Sequence, residues 1–268
     1  MKKVLYIATI LLLVIAFGIS AYQVGSYFLE SKKQADRFDE LSAMRGEAET
    51  LPSQPAQTQA TEATGETVEQ TLPAVESYED RMKNIYDLNN DLVGWIKLDG
   101  TELDYPVMQT DVNNRDYYLK HDFDGEESSR GCIYAREECD VNTPSDNITL
   151  YGHNMADGSM FAALNAYTEK EAWENNSLIE FSTLTEQHIY KIFAVFKTSA
   201  SLGQGFTYHQ FVDAKDEAAF NEFVKTCKDL AFYETGETPK YGDKLITLST
   251  CEYTLENGRL VVCAYRIY

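Results

Sequence analysis

The chain has 268 residues, enough for one or two domains, and it carries a formal net charge of −20. This excess of negative charge argues against nucleic acid as a partner, because phosphate binding needs a basic face. Its five cysteines are an odd number, so at least one thiol has no partner within the chain.

The N-terminal segment 1–29 predicts a single membrane-spanning helix. Lys2 and Lys3 precede a mostly apolar stretch over residues 4–29, and about 20 apolar residues span a bilayer core as a helix. The two lysines, with no acidic residue up to position 29, favour a cytoplasmic N-terminus and an extracellular remainder. A cleaved signal peptide is the alternative, because Ile19-Ser20-Ala21 offers small residues. We prefer an uncleaved anchor in the cell membrane, since the run is longer than a typical signal-peptide core.

Residues 30–76 predict an extracytoplasmic stalk or disordered linker. Residues 30–45 are charged and compatible with a helix. Residues 46–76 contain six glutamates, no lysine or arginine and no aromatic residue. Such a composition buries too little apolar surface to fold. The folded domain is therefore expected to cover residues 77–268.

This domain is predicted to be mainly β. After a helical pattern at 78–88, eight short strand-like runs are separated by turn residues, as is typical of an all-β barrel or sandwich. The runs cover residues 93–98, 102–108, 131–135, 147–151, 179–183, 188–197, 244–250 and 260–267.

Two helical insertions interrupt the predicted strands, one at 159–167 and a longer one at about 213–232. The longer segment has an acidic first turn, which suits the helix dipole. Phe220, Phe223 and Cys227 lie on one apolar stripe of it. We expect this stripe to dock against the strands.

Cys251 is the cysteine whose position favours reactivity. It lies where a strand gives way to a polar loop, and such strand ends hold reactive groups on a rigid frame. Cys132 and Cys263 are expected inside strands, and Cys227 on the apolar face of a helix. The acidic neighbours of Cys139 are expected to raise the pKa of its thiol and make it a poor nucleophile.

His153 has the same placement, because it follows an apolar strand and a glycine. An imidazole can take or give a proton at physiological pH. His121, His188 and His209 are expected to be structural or exposed. Arg259, at the start of the last strand, is a candidate cation for a developing oxyanion.

The spacing between Cys251 and Arg259 requires a wide loop. A two-residue turn at Asn257-Gly258 would pair Cys251 with Ala264 and leave Arg259 about 16 Å along the strand. A loop over 252–258 instead lets both groups flank one cleft, so we predict the wide loop.

Together these residues resemble the sortase family, and specifically class B, over about residues 78–268. The strongest motifs are Thr247-Leu248-Ser249-Thr250-Cys251, Tyr151-Gly152-His153-Asn154-Met155 and the later Arg259. The long helix before the cysteine strand is similar to the class B insertion. Further agreement comes from Val93-Gly94-Trp95-Ile96, Asp104-Tyr105-Pro106-Val107 and Tyr117-Tyr118-Leu119 followed by His121.

The resemblance implies an eight-stranded β-barrel with peripheral helices and a membrane-anchored cysteine transpeptidase outside a Gram-positive-type cell. Such enzymes cleave a C-terminal sorting signal of a secreted protein after threonine, hold the acyl group as a thioester and pass it to an amine of a cell-wall precursor or a pilin. No spacing of residues in the sequence supports a metal site, and no cofactor is expected.

By matching motif, the resemblance makes Cys251 the nucleophile, His153 the general acid and then base, and Arg259 the oxyanion stabiliser. Ser249 and Glu252 flank the cysteine and are implied as substrate-binding residues, with the Glu252 backbone N–H completing the oxyanion site. The sorting motif and the choice between wall anchoring and pilus assembly stay open.

Three other classes of protein are alternatives to a sortase. A papain-type hydrolase would place its cysteine before its histidine, the reverse of the order here. A cysteine L,D-transpeptidase would have its arginine almost adjacent to the cysteine, whereas Glu252-Tyr253 follow Cys251. A non-catalytic stalked binding module at the cell surface would leave Cys251 unreactive.

Overall fold

A computed structural model describes residues 2–46, 76–201 and 203–268. All eight predicted strands are present, with ends displaced by a few residues at most. The strands are β1 Leu92–Lys97, β2 Asp104–Met108, β3 Ile133–Ala135, β4 Asn147–Tyr151, β5 Leu178–Thr183, β6 Gln187–Ser199, β7 Leu245–Glu252 and β8 Gly258–Arg266.

The strands close into a barrel in the order β1-β2-β3-β4-β7-β8-β6-β5, so the predicted barrel is confirmed. Closure leaves no free sheet edge. The β2–β3 and β4–β7 pairs are parallel, and the other neighbours are antiparallel. Trp95, Phe181, Leu248 and Val262 belong to the main apolar core and are almost fully buried.

Helices decorate this barrel. They are α1 Lys2–Arg45, α2 Tyr78–Tyr86, α3 Lys170–Asn175 and α4 Glu217–Leu230, with 3-10 helices at Tyr117–Leu119, Phe161–Thr168 and Tyr208–Gln210. The Asp216 side chain caps α4 by accepting a hydrogen bond from Ala219 N, which is why the helix begins after the predicted position 213. The apolar face of α4 docks on the outside of β6 and β8, with Phe211 stacked on Phe223 at 4.0 Å.

The structure corrects the predicted start of the linker. Residues 30–45 are helical, as their composition allowed, but they continue α1 and pack on the barrel instead of forming a stalk. Phe38 and Leu41 lie one turn apart on the same helix face, and both are buried in the main core. This short apolar pair is diluted by charged neighbours, so composition alone did not reveal it. The rest of the predicted linker, 47–75, lies outside the described residues.

The N-terminal part of α1 is apolar and exposed. Among the described residues, the span Thr9–Arg45 is the one helix long and apolar enough to cross a membrane. Its most apolar stretch contains no buried residue among those the structure describes, and Leu12, Phe17 and Phe28 are each at least 66% exposed. Such an apolar surface can contact lipid, and its exposure to water is energetically unfavourable.

Candidate active site

His153 and Cys251 lie side by side because β4 and β7 pair in parallel. Tyr151 is the register partner of Ser249, and each candidate residue follows two positions later. Side chains two positions apart point to the same face, and neighbouring strands are about 4.8 Å apart. Asn154 extends the pairing beyond the strand end, since its Nδ2 donates to Cys251 O at 2.9 Å.

Gly152, next to His153, lies in a space too tight for a side chain. A β-carbon at this position would lie 2.4 Å from Ile133 Cδ1 and 2.8 Å from the Phe161 ring, so only glycine fits without displacement. The Gly152 carbonyl accepts a hydrogen bond from Thr250 Oγ1 at 2.8 Å. Core packing thus fixes the backbone on both sides of the two candidate residues.

Arg259 faces the cysteine across the next strand pair. Cys251 is the antiparallel register partner of Arg259, and Glu252 that of Gly258, so the connection is the predicted wide loop. Directly opposed residues have Cβ atoms about 4.5–5.5 Å apart. Arg259 Nη1 donates to Gly258 O at 2.9 Å and to Asn257 O at 3.3 Å. Within the described residues, no carboxylate pairs with its guanidinium.

The three candidate residues line one cleft with a volume of about 420 Å³. Its walls carry charges of both signs, from Arg115, Asp116, Arg136 and Glu137, together with aromatic side chains. The cleft therefore offers charged and polar groups that can bind a peptide backbone.

His153 is held in one orientation by a backbone carbonyl. Its Nε2 lies 2.8 Å from Leu119 O. Because a carbonyl oxygen only accepts, the Nε2 atom carries the proton of this hydrogen bond. Nδ1 is then the nitrogen free to take and return a proton.

Cys251 is half-buried, whereas the other four cysteines are buried; sequence position predicted this for Cys132, Cys227 and Cys263 but not for Cys139. Burial raises the pKa of Cys132 and Cys227 well above the usual range and that of Cys139 to about 11. For Cys139, burial is the largest cause of the raised pKa, and the acidic neighbour Glu138 adds to it in the same direction. Cys251 is accordingly the most accessible of the five thiols to a substrate.

Ser249 and Glu252 have different surroundings from each other. Ser249 lines the cleft but is 1% exposed, and its Oγ lies 2.5 Å from the Tyr208 hydroxyl. Glu252 lies on the opposite face of β7, where Lys197 Nζ binds its carboxylate at 2.9 Å. Burial alone would raise the pKa of Glu252, but hydrogen bonds from Thr254 and Lys197 hold it at about 2.

Sequence reasoning did not identify the supports of the site. Leu119 holds the histidine, Asn154 joins the two strand ends and Tyr208 covers Ser249. Of these, Asn154 alone had a local signal, since it directly follows His153. Among the described residues, no group of three His, Cys, Asp or Glu side chains is placed to hold a metal ion.

Comparisons with known proteins agree with this geometry. A family model for the sortase domain matches residues 96–267. Sortase B of Listeria monocytogenes is 31% identical over 185 residues, which is 68% of this chain and 72% of that protein. Sortase B of Staphylococcus aureus is 29% identical over 268 residues, covering 98% of this chain and 97% of that one. The structure of a Staphylococcus aureus sortase B–substrate complex aligns with a TM-score of 0.64 and 30% identity, covering 70% of this chain and 85% of that chain.

A closed barrel that brings a half-exposed cysteine beside a histidine and an arginine has the parts needed for cysteine acyl transfer. With the family model and these relatives, the chain belongs to the sortase family as a class B sortase, a cysteine transpeptidase.

Proposed function

We propose that this protein is a single-pass membrane enzyme that attaches secreted proteins to the cell surface. Its substrate would be a sorting signal near the C-terminus of such a protein, cleaved after threonine. The acceptor would be an amine of a cell-wall precursor or a pilin lysine. Membership of the sortase family supports this substrate class over the L,D-transpeptidase and binding-module alternatives.

In the proposed first half-reaction, His153 Nδ1 takes the proton of the Cys251 thiol, and the resulting thiolate attacks the threonine carbonyl carbon. The carbonyl oxygen becomes an oxyanion, which the Arg259 guanidinium stabilises. The carbon–nitrogen bond then breaks, and the leaving amine takes a proton from His153. A thioester at Cys251 remains. The register of Cys251 opposite Arg259 and beside the β4 exit is the observation that carries this assignment.

In the second half-reaction, the acceptor amine attacks the thioester carbonyl and His153 removes its proton. The thiolate leaves, and a new amide bond joins the substrate to the acceptor. The mixed charges of the cleft wall suit a polar peptide and an incoming amine. In this proposal Ser249 and Glu252 support β7, the strand that carries Cys251. Ser249 lies against the cleft, and Glu252 fixes the loop before Arg259.

Membrane anchoring is proposed from α1. Its apolar part is exposed over a length that can span a bilayer, and Lys2 and Lys3 favour a cytoplasmic N-terminus. The domain would then work outside the cell. Protease protection in intact cells tests this topology, because an extracellular domain is digested and a cytoplasmic one is not.

The activity is tested with fluorogenic peptides carrying Leu-Pro-x-Thr-Gly, Ser-Pro-x-Thr-Gly and Asn-Pro-x-Thr-type signals. The protein should keep residues 27–46, because that part of α1 packs on the barrel. We expect cleavage after threonine in the wild type and none in Cys251→Ala. Cleavage that survives in Cys251→Ala would contradict the assignment of the nucleophile.

A further inference from the structure

Helix α1 holds residues 128–131, the segment that leads into β3, at two points. Glu30 Oε1 accepts hydrogen bonds from Ser128 Oγ at 2.9 Å and from Ser129 N at 2.7 Å. One turn later, Gln34 Nε2 donates to Gly131 O at 2.6 Å. Residues four apart share a helix face, so both contacts form together. Burial alone would raise the pKa of Glu30, but the Ser128 and Ser129 hydrogen bonds lower it, so its carboxylate binds as an anion.

The held segment connects to the histidine loop through Arg130. Arg130 is 3% exposed; its guanidinium pairs with the Asp157 carboxylate and donates to Ser159 Oγ at 2.7 Å. Asp157 and Ser159 belong to the loop that follows β4 and carries His153. Phe161 N closes that loop by donating to His153 O at 2.9 Å. A displacement of Arg130 therefore moves the backbone around the histidine.

The same segment also connects to the imidazole through the 3-10 helix at 117–119. Gly131 has a φ of +57°, and a β-carbon there would lie 2.3 Å from Tyr118 O and 2.7 Å from Leu119 O. Cys132 N donates to Tyr118 O at 2.8 Å. Leu119 O in turn binds His153 Nε2 at 2.8 Å. The two backbones are in direct contact, so the position of one fixes the carbonyl that orients the ring.

We propose that Glu30 and Gln34 are positioning residues for His153. They hold the 128–131 segment, which fixes the histidine from both its loop and its ring. The helix that emerges from the membrane-spanning stretch is thus part of the catalytic support. This inference rests on the proposed role of His153 in proton transfer. Small misplacements of a catalytic group by distant substitutions are costly, up to about a hundredfold for 1 Å.

Arg37 provides a matched control on the same helix. Its Nη2 donates to Asp124 Oδ1 at 2.8 Å, an ion pair between α1 and the loop before the 128–131 segment. Substituting Arg37 therefore weakens the attachment of α1 without removing a hydrogen bond to the segment that supports His153. Glu30→Gln is the conservative variant, because the amide oxygen can still accept from Ser128 and Ser129.

The test uses the full chain in detergent micelles with ¹⁵N-labelled histidine, and Glu30→Ala, Gln34→Ala, Glu30→Gln and Arg37→Ala beside the wild type. We expect kcat for peptide cleavage to fall about tenfold or more in Glu30→Ala and Gln34→Ala, with KM within about twofold. Their His153 ring signals should change from a single Nε2–H tautomer to a mixture. Glu30→Gln and Arg37→Ala should resemble the wild type in both measurements.

Unchanged kcat and ring signals in folded Gln34→Ala would overturn the proposal. The proposal would also be overturned if kcat fell in all variants, Arg37→Ala included, in proportion to the fall in their Tm. That result would mean that α1 contributes to stability alone. If Gln34→Ala does not fold, Glu30→Ala against Glu30→Gln makes the same comparison. A wild type without cleavage activity would refute the proposed function instead, while the His153 spectrum would still report on positioning.

Discussion

Replacement of Arg259 tests the cross-strand arrangement of the site. Arg259 pairs directly with Cys251 between β7 and β8. Among the described residues its hydrogen bonds are made by Nη1, to Asn257 O and Gly258 O. These bonds fix the guanidinium at the cleft while its other N–H groups stay available to a developing oxyanion. Arg259→Ala removes the cation and the donors together.

The size of the effect follows from what an oxyanion donor contributes. Removing one such donor costs about 10²–10³ in kcat, or about 2.7–4 kcal/mol. Arg259→Lys keeps a positive charge but loses the planar fork and its two backbone contacts. We therefore expect a loss of about tenfold for Arg259→Lys, between the wild type and Arg259→Ala. KM should change little in either variant, since the interaction strengthens in the transition state.

The assay is steady-state cleavage of a sorting-signal peptide, with circular dichroism to establish that each variant is folded. Lys197→Ala is a useful comparison, because it alters the same loop from the side away from the cleft. A kcat for Arg259→Ala within tenfold of the wild type would refute the oxyanion role. An effect confined to KM would assign Arg259 to ground-state binding.

Three further predictions concern the fold and the thiols. Leu41→Ala should lower the free energy of unfolding by about 2–5 kcal/mol in a denaturant titration, whereas exposed Leu88→Ala should change it little; equal effects would contradict the docking of α1. The pKa of Glu252 is depressed from 4.5 to about 2, so its contribution to stability is complete above pH 4.5 and lost as the pH falls through about 2. Acid unfolding of Glu252→Gln should lack this component, and an unchanged acid profile would contradict it. A thiol reagent should label one cysteine in the native protein and none in Cys251→Ala, measured by intact mass; labelling of a buried thiol at the same rate would contradict the site.

Local sequence signals predicted the strands of the barrel well. The eight apolar runs bounded by turns became the eight strands of the barrel, because side-chain alternation and turn chemistry act over a few residues. Cys251 and His153 were singled out because each lies near the end of a predicted strand, Cys251 within the last two residues of β7 and His153 two residues after β4. The wide loop also followed from a simple distance argument, despite the turn signal of Asn257-Gly258.

The long-range contacts of the site could not be predicted from the sequence. Nothing in the local pattern indicates that Leu119 O binds His153 or that Tyr208 covers Ser249, because these partners are 34 and 41 residues apart. The docking of residues 30–45 was missed for a related reason. Its two buried apolar side chains gain their partners only when the barrel has formed.

Mass spectrometry of the enzyme during turnover tests the proposed thioester at Cys251 most directly. The protein is mixed with a sorting-signal peptide and quenched in acid within the first turnovers; its intact mass is measured, and a digested portion is used for peptide mapping. We expect an acyl adduct ending in threonine on the peptide that contains Cys251, which hydroxylamine removes as expected for a thioester. Product formation without any adduct on Cys251, or with the adduct on another residue, would contradict this expectation.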